Sequence, residues 1–332
     1  MRTRGTRAAR QPATPAVQAA ESVRPRLPAR VTAGAPEPPP PRSTPEKGPV
    51  LGMLMLASAM LIFPLMDAAC KLLQPALPVA QIIWGRNIVL LVIILPFVLW
   101  RYRRQALNPS QPWGQVIRAA LMTGSSVLFT IAIGVTPLAD TLAVFFIHPF
   151  IATALSPLVL RERVTTLQWA AIVTGLSGAL VVIQPGFSAL SPGLLLAVLA
   201  GFSFAAAMLL TRRLAGGDPP LVTMLITGLV QAALCGGMLP FVWVDPTVTE
   251  WLLILLAGVI GVIGFALLTY SYELASASRL APVGYMEIVG AIIAGYLLFG
   301  DFPAPVVWLG IGLIVASGIV IAWQAGRARA RP

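Results

Sequence analysis

The sequence predicts an all-α integral membrane protein with ten transmembrane helices arranged as two inverted five-helix repeats. Three observations carry that prediction. Of 332 residues, 57% are apolar and only 11% charged, and the mean hydropathy is +0.84; a soluble domain carries about 25% charged residues. Residues 49–323 divide into apolar runs of roughly 20 residues, the length that crosses a hydrocarbon core. Positive charge alternates between the links that join those runs.

Residues 1–48 form the first element, with ten prolines, nine basic residues and almost no large apolar side chain. Such a segment cannot bury enough surface to offset its ordering entropy, so a disordered cytoplasmic tail is expected. It has no short apolar run ending in a small-residue cleavage site, as a signal peptide would. Three readings remain open: a dispensable tail, a start assigned upstream of Met53, or a basic segment held at the anionic leaflet.

The spans follow at 50–72, 79–100, 114–135, 138–160, 166–184, 193–213, 221–243, 251–274, 278–299 and 304–323. Gln74-Pro75-Ala76-Leu77-Pro78 ends the first, Thr136-Pro137 the third and Gln184-Pro185-Gly186 the fifth. Gly216-Gly217-Asp218-Pro219-Pro220 ends the sixth and Asp245-Pro246 the seventh. Links this short require helices, since open sheet edges do not stand in lipid. With the N-terminus inside, 21 of the 23 Lys and Arg residues fall on cytoplasmic segments and none on the five outer links. The two left over, Lys71 and Arg86, lie within spans. One helix more or fewer would scramble the alternation. Trp100, Trp113, Trp243, Trp251 and Trp323 fall at the expected interfaces. A basic cytoplasmic tail over 325–332 closes the chain.

The halves repeat. Shifting the chain by 139 residues lays Leu158-Val159-Leu160-Arg161-Glu162-Arg163 over Leu297-Leu298-Phe299-Gly300-Asp301-Phe302, and Trp169 over Trp308. The acid recurs and the bases do not, as expected when one turn faces the cytoplasm and its counterpart faces out. Five helices per half is odd, which inverts the second half. Inverted repeats enclosing a midplane site are a transporter signature.

Several stretches together carry a resemblance. They are Phe63-Pro64-Leu65-Met66-Asp67-Ala68-Ala69-Cys70-Lys71, Trp84-Gly85-Arg86, Thr136-Pro137-Leu138-Ala139-Asp140, Pro149, Leu158 to Val164, and Leu280-Ala281-Pro282-Val283-Gly284-Tyr285-Met286-Glu287. In their order and spacing the chain resembles the drug/metabolite transporter superfamily, in the form built from two EamA domains. The resemblance covers about residues 50–323 and places the repeats at 49–186 and 190–324. It implies a central cavity, alternating access, and a cargo among amino acids, nucleotide-related compounds, vitamins or drugs.

Ionisable groups inside spans are costly and therefore candidate site residues. At 1.5 Å per residue, His148 lies about 15 Å into the fourth span and Glu287 about 14 Å into the ninth, both near the midplane. The 139-residue shift maps one position onto the other. They serve either as a substrate or proton site or as a hydrogen-bonded pair that fixes packing. Asp67 and Lys71 are four apart on one face of the first span, and Arg86 lies at a similar depth in the second. These three form either a receptor for a carboxylate or phosphate, or a structural Asp67–Arg86 pair with Lys71 snorkelling. Trp84 and Asn87 are candidate wall residues beside Arg86, and Tyr285 beside Glu287. Glu162 and Asp301 are expected to lock turns, and Pro149 to kink the helix beside His148. Gly258, Gly261 and Gly264 follow no strand and mark close helix contact rather than a nucleotide fingerprint.

The function expected is secondary transport of a small polar organic metabolite across the inner membrane, with both termini cytoplasmic and the lipid bilayer as surroundings. Proton coupling through His148 and Glu287 is open, as is homo-oligomerisation. The net charge of +11 does not point to nucleic acid, because it sits in the tails and short links. Two cysteines, Cys70 and Cys235, and one histidine leave no metal cluster, cofactor motif or catalytic triad. A lipid-carrier flippase of the same superfamily is the alternative, and an intramembrane enzyme a more distant one.

Overall fold

The computed structural model describes residues 48–103, 108–160, 164–183, 191–214, 216–280 and 282–330, without the side chains of 277, 278 and 325–330. Residues 1–47 of the N-terminal tail, Arg104, the Arg161-Glu162-Arg163 turn and the Gln184-Pro185-Gly186 break lie outside the described residues. So do Arg331 and the side chains of Arg327 and Arg329.

Helices α1 (Pro49–Leu73), α2 (Val79–Tyr102) and α3 (Pro112–Val135) come first. Next is α4, in two pieces: α4a (Leu138–Phe145) and α4b (His148–Val159). Then follow α5 (Thr166–Ile183), α6 (Pro192–Arg213), α7 (Pro220–Gly236), α8 (Val248–Leu274), α9 (Met286–Phe299) and α10 (Pro305–Ala330). Proline stands in the first turn of α1, α3, α4b, α6 and α7, where its missing N–H costs nothing. Thr247 and Glu250 form a capping box that starts α8 three residues before the expected position.

Eight helices are long and apolar enough to cross a membrane, and Pro220–Gly236 and Val283–Phe299 are shorter apolar helices. The departures from the expected spans have local causes. The seventh ends at Gly236, and the chain continues through Gly237 into a single turn at Leu239–Val242 that contains Pro240. The ninth, expected as one piece from 278, is a turn at Ala277–Leu280, a 3-10 turn at Val283–Tyr285, and then α9. Pro282 carries no N–H and stands at that break. α10 continues to Ala330, into the segment read as a tail. Side chains such as Val92, Leu158, Leu297 and Leu309 point outward, as a lipid-bathed surface permits.

Helix packing shows the repeat. α1 packs on α8 and α9, while α6 packs on α3 and α4; α2 packs on α8, while α7 packs on α3. Three further pairs, α2 with α7, α4 with α9 and α5 with α10, map onto themselves. Exchanging every helix for the one five places away therefore reproduces these pairs, while the packing of α4 on α5 has no comparable counterpart between α9 and α10 among the described residues. Glycines permit the closest approaches. Gly264 faces the Phe63 ring and Gly258 faces Val89, so the three spaced glycines of α8 seat it on α1 and α2. On α9, Gly290 lies against the backbone of Leu61 and Met60 in α1.

The α2–α3 and α6–α7 links meet at one end, where the Ser110 N–H bonds Asp218 and Arg101, Arg103, Arg212 and Arg213 flank the links, here the basic end. The α1–α2, α3–α4, α7–α8 and α9–α10 links lie at the opposite end, joined by bonds of Lys71 to Thr136 and Asp301 and of Gln81 to Val244.

Candidate functional site

A cavity of about 620 Å³ opens between the halves, lined by every helix except α5 and α10. At the basic end its lining includes Arg118 in the second turn of α3, Pro220 at the start of α7 and Tyr272 near the end of α8. Towards the opposite end it stops near Asp67, Thr130 and Ala257.

His148 and Glu287 both reach this cavity. α4 breaks at Phe146 and Ile147, and His148 is the first residue of α4b, followed by Pro149. α9 begins at Met286, which places Glu287 in its first turn. The two helices thus restart within one residue of positions related by the same 139-residue shift. A carboxylate in a first helical turn faces the positive end of the peptide dipoles. His148 Nδ1 is 3.0 Å from the carbonyl oxygen of Phe145. Its ring stands 4.7 Å from Phe204, 5.0 Å from Phe145 and 5.5 Å from Phe146, measured between centroids. Phe129 extends this wall, 4.9 Å from Phe145.

Asp67, Arg86 and Asn87 also line the cavity. Arg86 donates from Nη2 to Ser126 Oγ at 2.6 Å and from Nη1 towards Cys70 Sγ at 3.6 Å. Asp67 lies in the electrostatic field of Arg86 without an ion-pair contact, and Glu287 lies in that of Asp67. Asn87 donates to the carbonyl of Ile83 at 2.7 Å. One cation and two carboxylates therefore lie within electrostatic reach of one another on the lining of one cavity.

Three predicted site residues stand elsewhere. Lys71 Nζ donates to the Thr136 carbonyl at 2.9 Å, pairs with Asp301 Oδ2 at 3.4 Å and sits 4.7 Å from the centre of the Phe299 ring. Its four-carbon stem carries the ammonium past the cavity to the opposite end. Gly300, at φ 72°, turns the chain after α9, and the Asp301 N–H then bonds the Gly295 carbonyl. That turn presents the Asp301 carboxylate to Lys71. Trp84 lines a separate apolar groove with Val248, Trp251 and Leu252, edge-on to Trp243 at 6.1 Å. Tyr285 directs its hydroxyl at Gly318 of α10, where any added side-chain atom would collide with it.

Further polar contacts tie the opposite end. Gln74 donates to the Thr130 carbonyl at 2.8 Å. Gln81 donates to the Val244 carbonyl at 2.7 Å and accepts from the Val244 N–H at 3.1 Å. Asp140, in the first turn of α4a, feels the charges of both Lys71 and Asp301, and its Oδ1 is buried without a hydrogen bond.

Sequence reasoning missed Arg118 by counting it with the cytoplasmic-side charges, although the expected third span, 114–135, contains it. It lies six residues inside a helix begun by Pro112, too deep for a loop, and that position was the available signal. The aromatic wall carried no comparable signal, because phenylalanines are common on every span.

The model of the EamA-like transporter family matches twice, over residues 50–184 and 191–323. A riboflavin transporter of Rhizobium johnstonii is 28% identical over 286 residues, covering 85% of this chain and 94% of its own length. An S-adenosylmethionine uptake transporter of Rickettsia bellii is 23% identical, covering 80% and 91%. A pseudopaline exporter of Pseudomonas aeruginosa is 26% identical, covering 81% and 95%. One solved crystal structure shares the fold at a TM-score of 0.58 and 20% identity, over 83% of this chain and 98% of the other. With both halves matched and a cavity between them, the chain belongs to the EamA-like transporter family.

Proposed function

We propose that this protein carries a small polar organic compound across the inner membrane by alternating access, with both termini cytoplasmic. One observation carries the reading: a cavity between the repeats, with ionisable side chains set in mostly apolar walls, reaches the basic end, while side-chain bonds tie the opposite end. Exchange of the roles of the two repeats opens the opposite end and closes the basic one. Asp67, Arg86, Asn87, His148 and Glu287 form the cargo site, with His148 and Glu287 as the proton-accepting groups.

The aromatic wall supports a cargo with a flat ring, since an offset or edge-on aromatic pair contributes about 0.5–1.5 kcal/mol beyond the area it buries. Riboflavin and S-adenosylmethionine, the compounds named for two relatives, both have flat heterocycles. One relative is named for uptake and another for export, which supports a carrier whose direction follows the driving gradient.

The test is uptake into proteoliposomes of a panel of vitamins, nucleosides and amino acids, with and without a pH gradient. Saturable accumulation of one class, lost in His148→Ala and Glu287→Gln, is expected. Full transport in both variants removes the site assignment, and chemical turnover without movement removes the carrier reading.

A further inference from the structure

Arg118 is 3% exposed, and every contact that holds it is neutral. Its Nε donates to Gln115 Oε1 at 3.0 Å, and its Nη2 donates to the Thr223 carbonyl at 2.9 Å and Thr227 Oγ1 at 2.7 Å. Nη1 makes no hydrogen bond among the described residues, yet the side chain lines the cavity. Among the described residues no carboxylate stands within ion-pair distance; Asp218 reaches Arg118 through Gln115, whose Nε2 donates to Asp218 Oδ2 at 2.9 Å. Asp218 is in turn occupied by the N–H of Ser110 at 2.9 Å. A full positive charge is thus held rigidly at the basic-end mouth without a counter-charge. Desolvating an unpaired charge is costly, and an incoming anion removes that cost. Guanidinium is the group best shaped to receive a planar or tetrahedral oxyanion.

The cavity continues from it along one face of α3: Arg118, Met122, Ser125 and Phe129 recur at helical spacing. Ser126, which holds Arg86, is eight residues further on, roughly 12 Å deeper at 1.5 Å per residue. A second guanidinium therefore waits at the end of the path that starts at Arg118.

We propose that Arg118 is a distinct anion site at the cavity mouth, the first anchor for a carboxylate or phosphate group on the transported compound. This rests on the cavity being the transport route. The probe is inorganic phosphate. Thermal unfolding of the purified full-length protein in non-ionic detergent is followed against sodium phosphate, with sodium chloride at equal ionic strength as the control. A saturable, phosphate-specific rise in Tm is expected. Its half-saturating concentration should increase about tenfold or more in Arg118→Gln, as loss of a charge-assisted fork implies. In Arg118→Lys it should increase severalfold, because lysine presents a point charge rather than a fork.

Wild-type half-saturation in Arg118→Gln overturns the proposal; if that variant does not fold, wild-type half-saturation in Arg118→Lys does so. No phosphate-specific rise in the native protein also overturns it. A parallel set in nanodiscs with and without phosphatidylglycerol separates the two sources of phosphate. Stabilisation by that lipid but not by free phosphate assigns the site to a lipid headgroup and overturns the proposal. Phosphate binding through Arg118 in a protein that moves no compound in the panel supports the anion site and removes only the transport reading.

Discussion

His148 and Glu287 each stand in the first turn of a helix that restarts partway along its span, in pseudo-symmetric positions, and both face one cavity. A broken helix exposes backbone amides where an unbroken one would hide them, and it is tolerated at this depth only where protein or a cavity receives those groups. Glu287→Gln should abolish any stimulation of uptake by a pH gradient while leaving exchange of labelled for unlabelled cargo measurable. His148→Ala should lower kcat/KM by tenfold or more. Unchanged gradient dependence in Glu287→Gln would remove the proton role.

Phe204 packs edge-on against His148, at 4.7 Å between ring centres. Phe204→Ala should raise the KM for a flat-ringed cargo about five- to tenfold, in line with the worth of one aromatic contact. Phe204→Trp should retain most of the affinity. Equal KM values across the three proteins would show that the wall packs the bundle and does not hold cargo.

The Lys71–Asp301 pair joins α1 to the turn after α9 at the opposite end. Lys71→Gln should loosen that end. Its effect on stability should be small, about 1 kcal/mol or less, since both side chains are partly exposed. The clearer readout is accessibility, with Met66→Cys in a background lacking Cys70 and Cys235. An impermeant maleimide should label it from the basic end in the parent. Lys71→Gln should add labelling from the other side, and unchanged one-sided labelling would show that the pair is not part of the closure.

Gly318 receives the hydroxyl of Tyr285. Gly318→Ala should lower stability by about 1–3 kcal/mol through overpacking. Combined with Tyr285→Ala the cost should shrink, which a double-mutant cycle of detergent unfolding reads directly. Additive losses would place the strain elsewhere.

The ten-helix architecture was legible because hydropathy runs and loop charge are one-dimensional signals. The midplane pair was legible because the repeat offset ties residue 148 to residue 287. The angular position of each side chain was less legible. Trp84 and Arg86 are two residues apart, or about 200° around a helix, so both could not line the same cavity. Arg86 faces inward, and Trp84 joins the aromatic group with Trp243 and Trp251. Asp67 and Lys71 share a helix face, but the length of the lysine stem took its charge to Asp301 instead. A count of basic residues by membrane side takes in Arg118 with the cytoplasmic charges and ignores how deep in the third span, 114–135, it lies.

Among the described residues, helices α5 and α10 contribute no side chain to the cavity, and they touch through Gly178 and Gly310, each facing the other's backbone carbonyl. This pair is a keel whose outer flank can be altered without altering what the protein selects. Val173 and Leu309 on that flank are exposed positions for spin labels, which would test the proposed rocking of the repeats without touching the cavity lining.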